Sequence, residues 1–269
     1  MELLNTTDFI AGSVIAEYLL IGVLLLVLAS FVAGYIDAVA GGAGLILIPA
    51  FILTGLPPQL ALGQEKLVST IGTIAAIKNF VKNKSVIWRV VPAGIFAGLV
   101  GAYIGAKVIL LIPVETLSIV IAALLPIGLL AATLKGKLKQ GASDEVKTGI
   151  MAITAVCLVV GFYDGFFGPG TGSLFIIALT VINRFGMLQA SATSKMFNFS
   201  SNIGAFVAFA LAGKMAYLIG IPMIIGSLVG NHIGSLHAIK TDGAIIKKVL
   251  YFTVGVMMLT LLFKSVAQL

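Results

Sequence analysis

Apolar blocks long enough, or nearly long enough, to cross a lipid bilayer follow one another along almost the whole chain. They lie at residues 18–38, 42–56, 60–81, 88–111, 114–134, 148–168, 171–183, 188–211, 215–238 and 244–263. A straight helix needs about 20 apolar residues to cross about 30 Å of hydrocarbon. Inside lipid a segment must satisfy its own backbone hydrogen bonds, so long apolar blocks of this kind span as helices. The pattern predicts an all-α integral membrane protein. With 59% hydrophobic and 10% charged residues, the 269-residue chain has too little polar sequence to cover a soluble fold. The net charge of +7 is no nucleic-acid footprint, because the basic residues fall in short tracts between apolar blocks, as the positive-inside bias produces. No DNA- or RNA-binding motif is visible. The N-terminal stretch carries Glu2, Asp8 and Glu17 but no basic leader, so the first block is expected to be retained. Cys157 is the single cysteine, which excludes a disulfide within the chain.

Two stretches break the apolar run. Gly34-Tyr-Ile-Asp-Ala-Val-Ala-Gly-Gly-Ala-Gly-Leu-Ile-Leu-Ile-Pro49 sets Asp37 beside Gly41, Gly42 and Gly44. Gly161-Phe-Tyr-Asp-Gly-Phe-Phe-Gly-Pro-Gly-Thr-Gly-Ser-Leu174 sets Asp164 beside Gly168, Gly170 and Gly172. Each glycine weakens a helix by roughly 1 kcal/mol, so these stretches are either loops outside the bilayer or helices broken within it. In a broken helix, the half that starts after the glycines exposes free N–H groups at its positive end, a natural site for an anion. Asp37 and Asp164 then have two open roles. They carry protons, as intramembrane acids often do, or they are structural, accepting backbone N–H bonds or pairing with a lysine. The structural role is the favoured one, because an aspartate facing an anion repels it.

The two stretches belong to a larger repeat. An offset of 129 takes Lys66 to Lys195, Phe80 to Phe209, and the series Ala97, Gly101, Gly105 to Gly226, Gly230, Gly234. Asp37 and Asp164 are 127 apart. The glycine series is a small-residue ladder for close helix packing. The division expected is a first membrane repeat at 1–134, a cytoplasmic linker at 135–147 and a second membrane repeat at 148–269. With ten spans, the loops at 78–89, 135–147, 184 and 240–248 share one side and hold twelve Lys and Arg; Lys107, Lys214 and Lys264 alone lie opposite. With eight spans the split falls to ten against five. The charge bias therefore favours five segments per half, which makes the halves an inverted repeat.

A second constellation opens the blocks at 60–81 and 188–211. Helical spacing puts Lys66, Ser69, Thr70 and Thr73 on one face, and Ser191, Lys195, Asn198 and Asn202 on another. A charge near the bilayer centre costs about 2.5–3.5 kcal/mol on insertion scales, so two matched lysines above polar stripes point to an anion site between the halves. The rival reading has both lysines near the interface and snorkelling; it leaves the stripes unexplained. Glu65, beside Lys66, weakens such a site, couples it to protons, or faces away. His232 sits in the glycine ladder and is either a proton relay or a packing residue.

These motifs resemble the sulfite exporter TauE/SafE permeases. The resemblance rests on the two glycine-rich stretches, on Ala61 to Leu67 and on Ala192-Thr-Ser-Lys-Met-Phe-Asn198, and runs over about residues 20–263. It implies a multi-pass permease of the cytoplasmic membrane that moves a small anion such as sulfite, a sulfonate or a related sulfur oxyanion. Two features depart from the family pattern: Glu65 replaces a small polar residue, and the first turn reads Gly-Gly-Ala-Gly. No cofactor or metal is expected. Proton or sodium coupling and homo-oligomerisation stay open.

The leading expectation is a secondary transporter working by alternating access. A channel would need a continuous polar pore, whereas polarity here clusters at two breaks and two lysine helices. An intramembrane protease lacks its Gly-x-Gly-Asp partner, and no Gly-x-Ser-x-Gly or His-Glu-x-x-His motif occurs. A scaffold would leave the lysines without a purpose.

Overall fold

A computed structural model describes residues 19–113, 116–117, 149–242 and 245. Among these residues the secondary structure is helical. The elements are α1 (Leu19–Ala40), α2 (Ala43–Leu53), α3 (Pro58–Lys82), a short 3₁₀ turn (Trp88–Val90), α4 (Val91–Leu110), α5 (Ile150–Phe166), α6 (Thr171–Val181), α7 (Met187–Leu211) and α8 (Tyr217–Lys240). The blocks expected at 114–134 and 244–263, and the linker at 135–147, lie outside the described residues apart from 116–117 and 245.

Three of these helices, α1, α4 with its 3₁₀ lead-in, and α8, are long and apolar enough to cross a membrane. The 25-residue helices α3 and α7 are long enough by length alone, about 38 Å at 1.5 Å per residue. What separates them from the other three is their polar stripe, which is buried against protein. Ser69, Thr73, Ser191, Ser194, Asn198, Ser201 and Asn202 are all buried. Exposed apolar side chains sit elsewhere, for example Leu25, Phe96 and Ile225.

The short helices α2 and α6 are 11 residues each, about 16 Å long and so about half the hydrocarbon thickness. Each follows a glycine break. α1 stops at Ala40 and α2 starts at Ala43; α5 stops at Phe166 and α6 starts at Thr171. Gly41 and Gly168 take φ of +74° and +97°, a left-handed conformation that a residue with a Cβ adopts only at a cost.

The halves interlock. The most extensive packing joins α1 to α8 and α4 to α5, then α7 to α4 and α3 to α8, so most contacts run between halves. The glycine ladders make this possible. A Cβ on Gly101 would stand 2.2 Å from the Leu158 carbonyl oxygen, and one on Gly105 2.1 Å from that of Phe162. In the other half, a Cβ on Gly230 would stand 2.0 Å from the Phe31 oxygen, and one on Gly234 2.5 Å from that of Tyr35. The backbones touch because nothing stands between them.

The same contacts give the run of the helices. Along α1 and α8 the touching residues rise together, Val27 with Gly226, Phe31 with Gly230, Tyr35 with Gly234, so the pair is parallel. α3 is parallel to α8 as well, with Gln64 at Gly220, Gly72 at Ser227 and Asn79 at Ser235. α5 and α7 run parallel to α4, through Leu158 at Gly101, Phe162 at Gly105, Phe197 at Gly94 and Gly204 at Leu99. The two groups oppose each other. Gly63, early in α3, meets Phe209 and Lys214 beyond the far end of α7, while Ile87, after α3, donates its N–H to Thr193 near the start of α7 at 3.1 Å. Helices that correspond by the repeat, α1 with α5, α3 with α7 and α4 with α8, therefore run in opposite senses.

Candidate functional site

The two glycine breaks meet. A Cβ on Gly41 would lie 2.4 Å from the Gly172 Cα, and one on Gly172 the same distance from the Gly41 Cα. Ser173 fastens the crossing, its N–H donating to the Gly41 carbonyl at 3.2 Å and its hydroxyl to the Ala40 carbonyl at 2.7 Å. Only glycine at both positions lets two chain segments cross this closely.

Each lysine reaches across to the aspartate of the other half. Lys66 Nζ is 2.8 Å from Asp164 Oδ1. Lys195 Nζ is 3.0 Å from Asp37 Oδ2, a close charge contact whose direction is poor for a hydrogen bond. Lys66 is 1% exposed and Lys195 fully buried, so neither reaches out to an interface, and the snorkelling reading falls. The aspartates are held further: Ser201 donates to Asp164 Oδ2, and Thr73 donates weakly to Asp37 Oδ2 at 3.4 Å. A buried charge costs several kcal/mol unless it is paired and hydrogen-bonded, which is why these residues are found together.

Between the breaks and the lysine helices lies a small polar cavity with room for about one water molecule. Gly41, Gly42, Gly44, Gly168, Gly170 and Gly172 line it, together with Asp37, Asp164, Glu65, Ser69, Asn198 and Asn202. Ala43 and Thr171 complete the wall. Some of its backbone donors are already used: the amides of Gly41, Gly168 and Thr171 bond to Asp37, Tyr163 and Gly168 carbonyls. The amides of Gly42, Ala43 and Gly44 at the start of α2, and of Gly170 and Gly172 at the start of α6, have no hydrogen-bond acceptor among the described residues. Two helix N-termini thus open on one space.

Most of the expected site residues converge here, and some do not. Lys66 and Lys195 stand behind the wall, turned to their aspartates. Thr70 is half-buried and bonds back to the Lys66 carbonyl at 2.6 Å, outside the cavity. His232 is exposed, its ring 3.1 Å from Asn79 Nδ2 in a separate polar cluster of α3 and α8 with Ser235. Glu65 faces inward: it lines the cavity, accepts from Ser69 at 2.7 Å and lies 3.0 Å from Lys66 Nζ. Ala43 and Thr171 went unmarked in the sequence, although both sit inside the glycine turns. Nothing in a linear pattern points from Ser201 to Asp164, 37 positions away.

The family described as sulfite exporter TauE/SafE matches residues 26–261. A probable membrane transporter protein, ORF9, of Sinorhizobium is 36% identical over 231 residues, covering 84% of this chain and 86% of its own. One from Haemophilus influenzae is 36% identical over 209 residues, covering 76% and 80%. The probable membrane transporter protein YfcA of Escherichia coli K12 is 33% identical over 254 residues, covering 93% and 92%. No solved structure matches the chain.

Proposed function

The chain belongs to the sulfite exporter TauE/SafE family of membrane transporters, and from that premise we propose that it is a multi-pass permease of the cell membrane carrying a small anion. The substrate class is sulfite, a sulfonate or a related sulfur oxyanion, and the mechanism is alternating access between two inverted repeats. One observation carries this reading: both glycine breaks, with their free amides, face a single small polar cavity between the halves. Helix N-termini favour anions, and discontinuous helices near the bilayer midplane are how many transporters build such sites. The opposite senses of corresponding helices support the inverted repeat.

The ion pairs suit a carrier. Lys66–Asp164 and Lys195–Asp37 both join one half to the other, so a rocking of the halves acts on them directly. In the closed arrangement each lysine charge is spent on an aspartate. An anion entering from one side competes for the lysine and the free amides together. The cavity is too small for an oxyanion of several heavy atoms as it stands, so an anion is accommodated only when the halves move apart.

The test is purified protein in liposomes. Saturable uptake of labelled sulfite or sulfoacetate, with counterflow driven by unlabelled anion on the opposite side, is the expected result. An unsaturated, ohmic anion current would overturn the carrier reading. A thermal-shift panel of sulfite, sulfoacetate, taurine, thiosulfate and simple carboxylates then ranks the substrates.

A further inference from the structure

The five buried charges around the cavity do not balance. Lys66 and Asp164 form one pair and Lys195 and Asp37 the other; Glu65 is a third carboxylate, 4% exposed, and the two lysines leave it without a cation of its own. It shares Lys66 with Asp164, through Oε2 at 3.0 Å. The second half has no such surplus. The residue matched to Glu65 by the 129 offset is Ser194, neutral and bonded to the Ser191 carbonyl at 2.7 Å.

A surplus negative charge in the wall of an anion site is costly in two ways. An ionised carboxylate buried with half a partner is expensive by itself, and it repels the incoming ligand at short range where screening is weak. A proton on Glu65 removes both costs. It also releases Lys66 from one of its two carboxylates just when an anion needs a cation. Resting on the anion-carrier reading above, we propose that Glu65 is the proton-coupling residue and that anion and proton cross together. A hydronium ion on the open side gives its proton to a Glu65 carboxylate oxygen as the anion binds, leaving water. The neutral acid is carried across with the anion and returns the proton to water as the anion leaves.

The surroundings single out Glu65. On its own helix the neighbouring charge is Lys66, and Ser69 donates to its other oxygen at 2.7 Å. Asp164 of α5 and Asp37 of α1 line the same cavity, and Lys195 of α7 stands behind its wall against Asp37. α2 and α6, which close the wall, carry no ionisable side chain, and on α8 His232 is engaged 14 residues further along α3, at Asn79. The wall also holds an acceptor without a donor, Asn202 Oδ1, in a residue 2% exposed. A proton-bearing group in the cavity would satisfy it.

The experiment uses the full chain in liposomes containing a trapped pH dye, with methanesulfonate as probe because its charge is constant across the neutral range. For the unmodified chain, saturable methanesulfonate influx is expected to bring in about one proton per anion, and an inward proton gradient is expected to raise the initial rate. In Glu65→Gln the ratio should fall from one to near zero whatever the residual flux; Glu65→Asp should keep it. If Glu65→Gln does not fold, Glu65→Ser, which copies the second half, reads the same ratio. A ratio unchanged in the neutral variants would overturn the assignment, as would flux in the unmodified chain that moves no protons or follows a sodium gradient instead. Absence of any saturable flux in the unmodified chain would overturn the carrier reading itself.

Discussion

At the scale of single residues, the molecule is governed by five charges that lipid would not tolerate, four of which tertiary contacts pair across the halves. Removing one member of a buried pair leaves the other uncompensated, typically a loss of 3–5 kcal/mol. Lys195→Met is therefore expected to lower the melting temperature of the detergent-solubilised protein sharply and to abolish anion binding. The double variant Asp37→Asn with Lys195→Met should recover most of the stability and none of the binding, a separation that thermal denaturation with and without ligand reads directly. Gly168→Ala tests the break itself. Its φ of +97° and a Cβ 2.4 Å from Lys66 Nζ predict a cost of about 1–2 kcal/mol from the left-handed conformation alone, plus displacement of the lysine. Both lysines and both aspartates were legible in the sequence as residues too costly to be accidental. Their pairing was not: Lys66 and Asp164 are 98 positions apart, and the pattern of neither half points to the other.

At the scale of elements, glycine spacing decides how closely helices approach. Gly230→Val is expected to drive α1 from α8, because the new side chain would meet the Phe31 carbonyl oxygen within 2.0 Å of its Cβ. Gly105→Val should do the same to α4 and α5. Size-exclusion chromatography in mild detergent should show loss of the monodisperse peak for both. Gly149→Ala is the control, since a Cβ there meets nothing within 4 Å, and it should elute unchanged. Most element boundaries could be read from the chain to within two or three residues; the block expected at 60–81 is α3 at Pro58–Lys82. The blocks at 42–56 and 171–183 were also legible as the two shortest. What stayed hidden was that α2 and α6 begin in the same place, because two breaks meeting is a property of packing and not of either segment.

At the scale of the whole molecule, the proposed inverted-repeat permease carries a prediction of what lies on each side of the bilayer. The charge bias puts the loop at Lys82 and the end of α8 at Lys240 on the cytoplasmic side, with Leu111 and Lys214 opposite. The contacts agree, since Ile87 touches Thr193 at one end of the molecule and Gly63 touches Lys214 at the other. In right-side-out vesicles, a membrane-impermeant maleimide is expected to label Leu111→Cys and Lys214→Cys but not Lys82→Cys or Lys240→Cys. Cys157 is fully buried and should stay unlabelled, so the unmodified chain serves as its own blank. Labelling of all four positions from one side would contradict the opposed halves.

The sequence by itself determined the environment, the helices, the two breaks and the repeat, because each follows from local chemistry: apolar length sets a span, glycine sets a break, and a matched offset sets a duplicate. Only the tertiary structure decided which helices pack together, with α1, α3 and α8 running against α4, α5 and α7, and that each lysine pairs with the aspartate of the other half. It also decided that Glu65 faces the cavity and not away. The reason is that burial and charge neutralisation are settled between segments far apart in the chain. A buried lysine announces that a carboxylate must be near, and the packing of eight described helices selects which one.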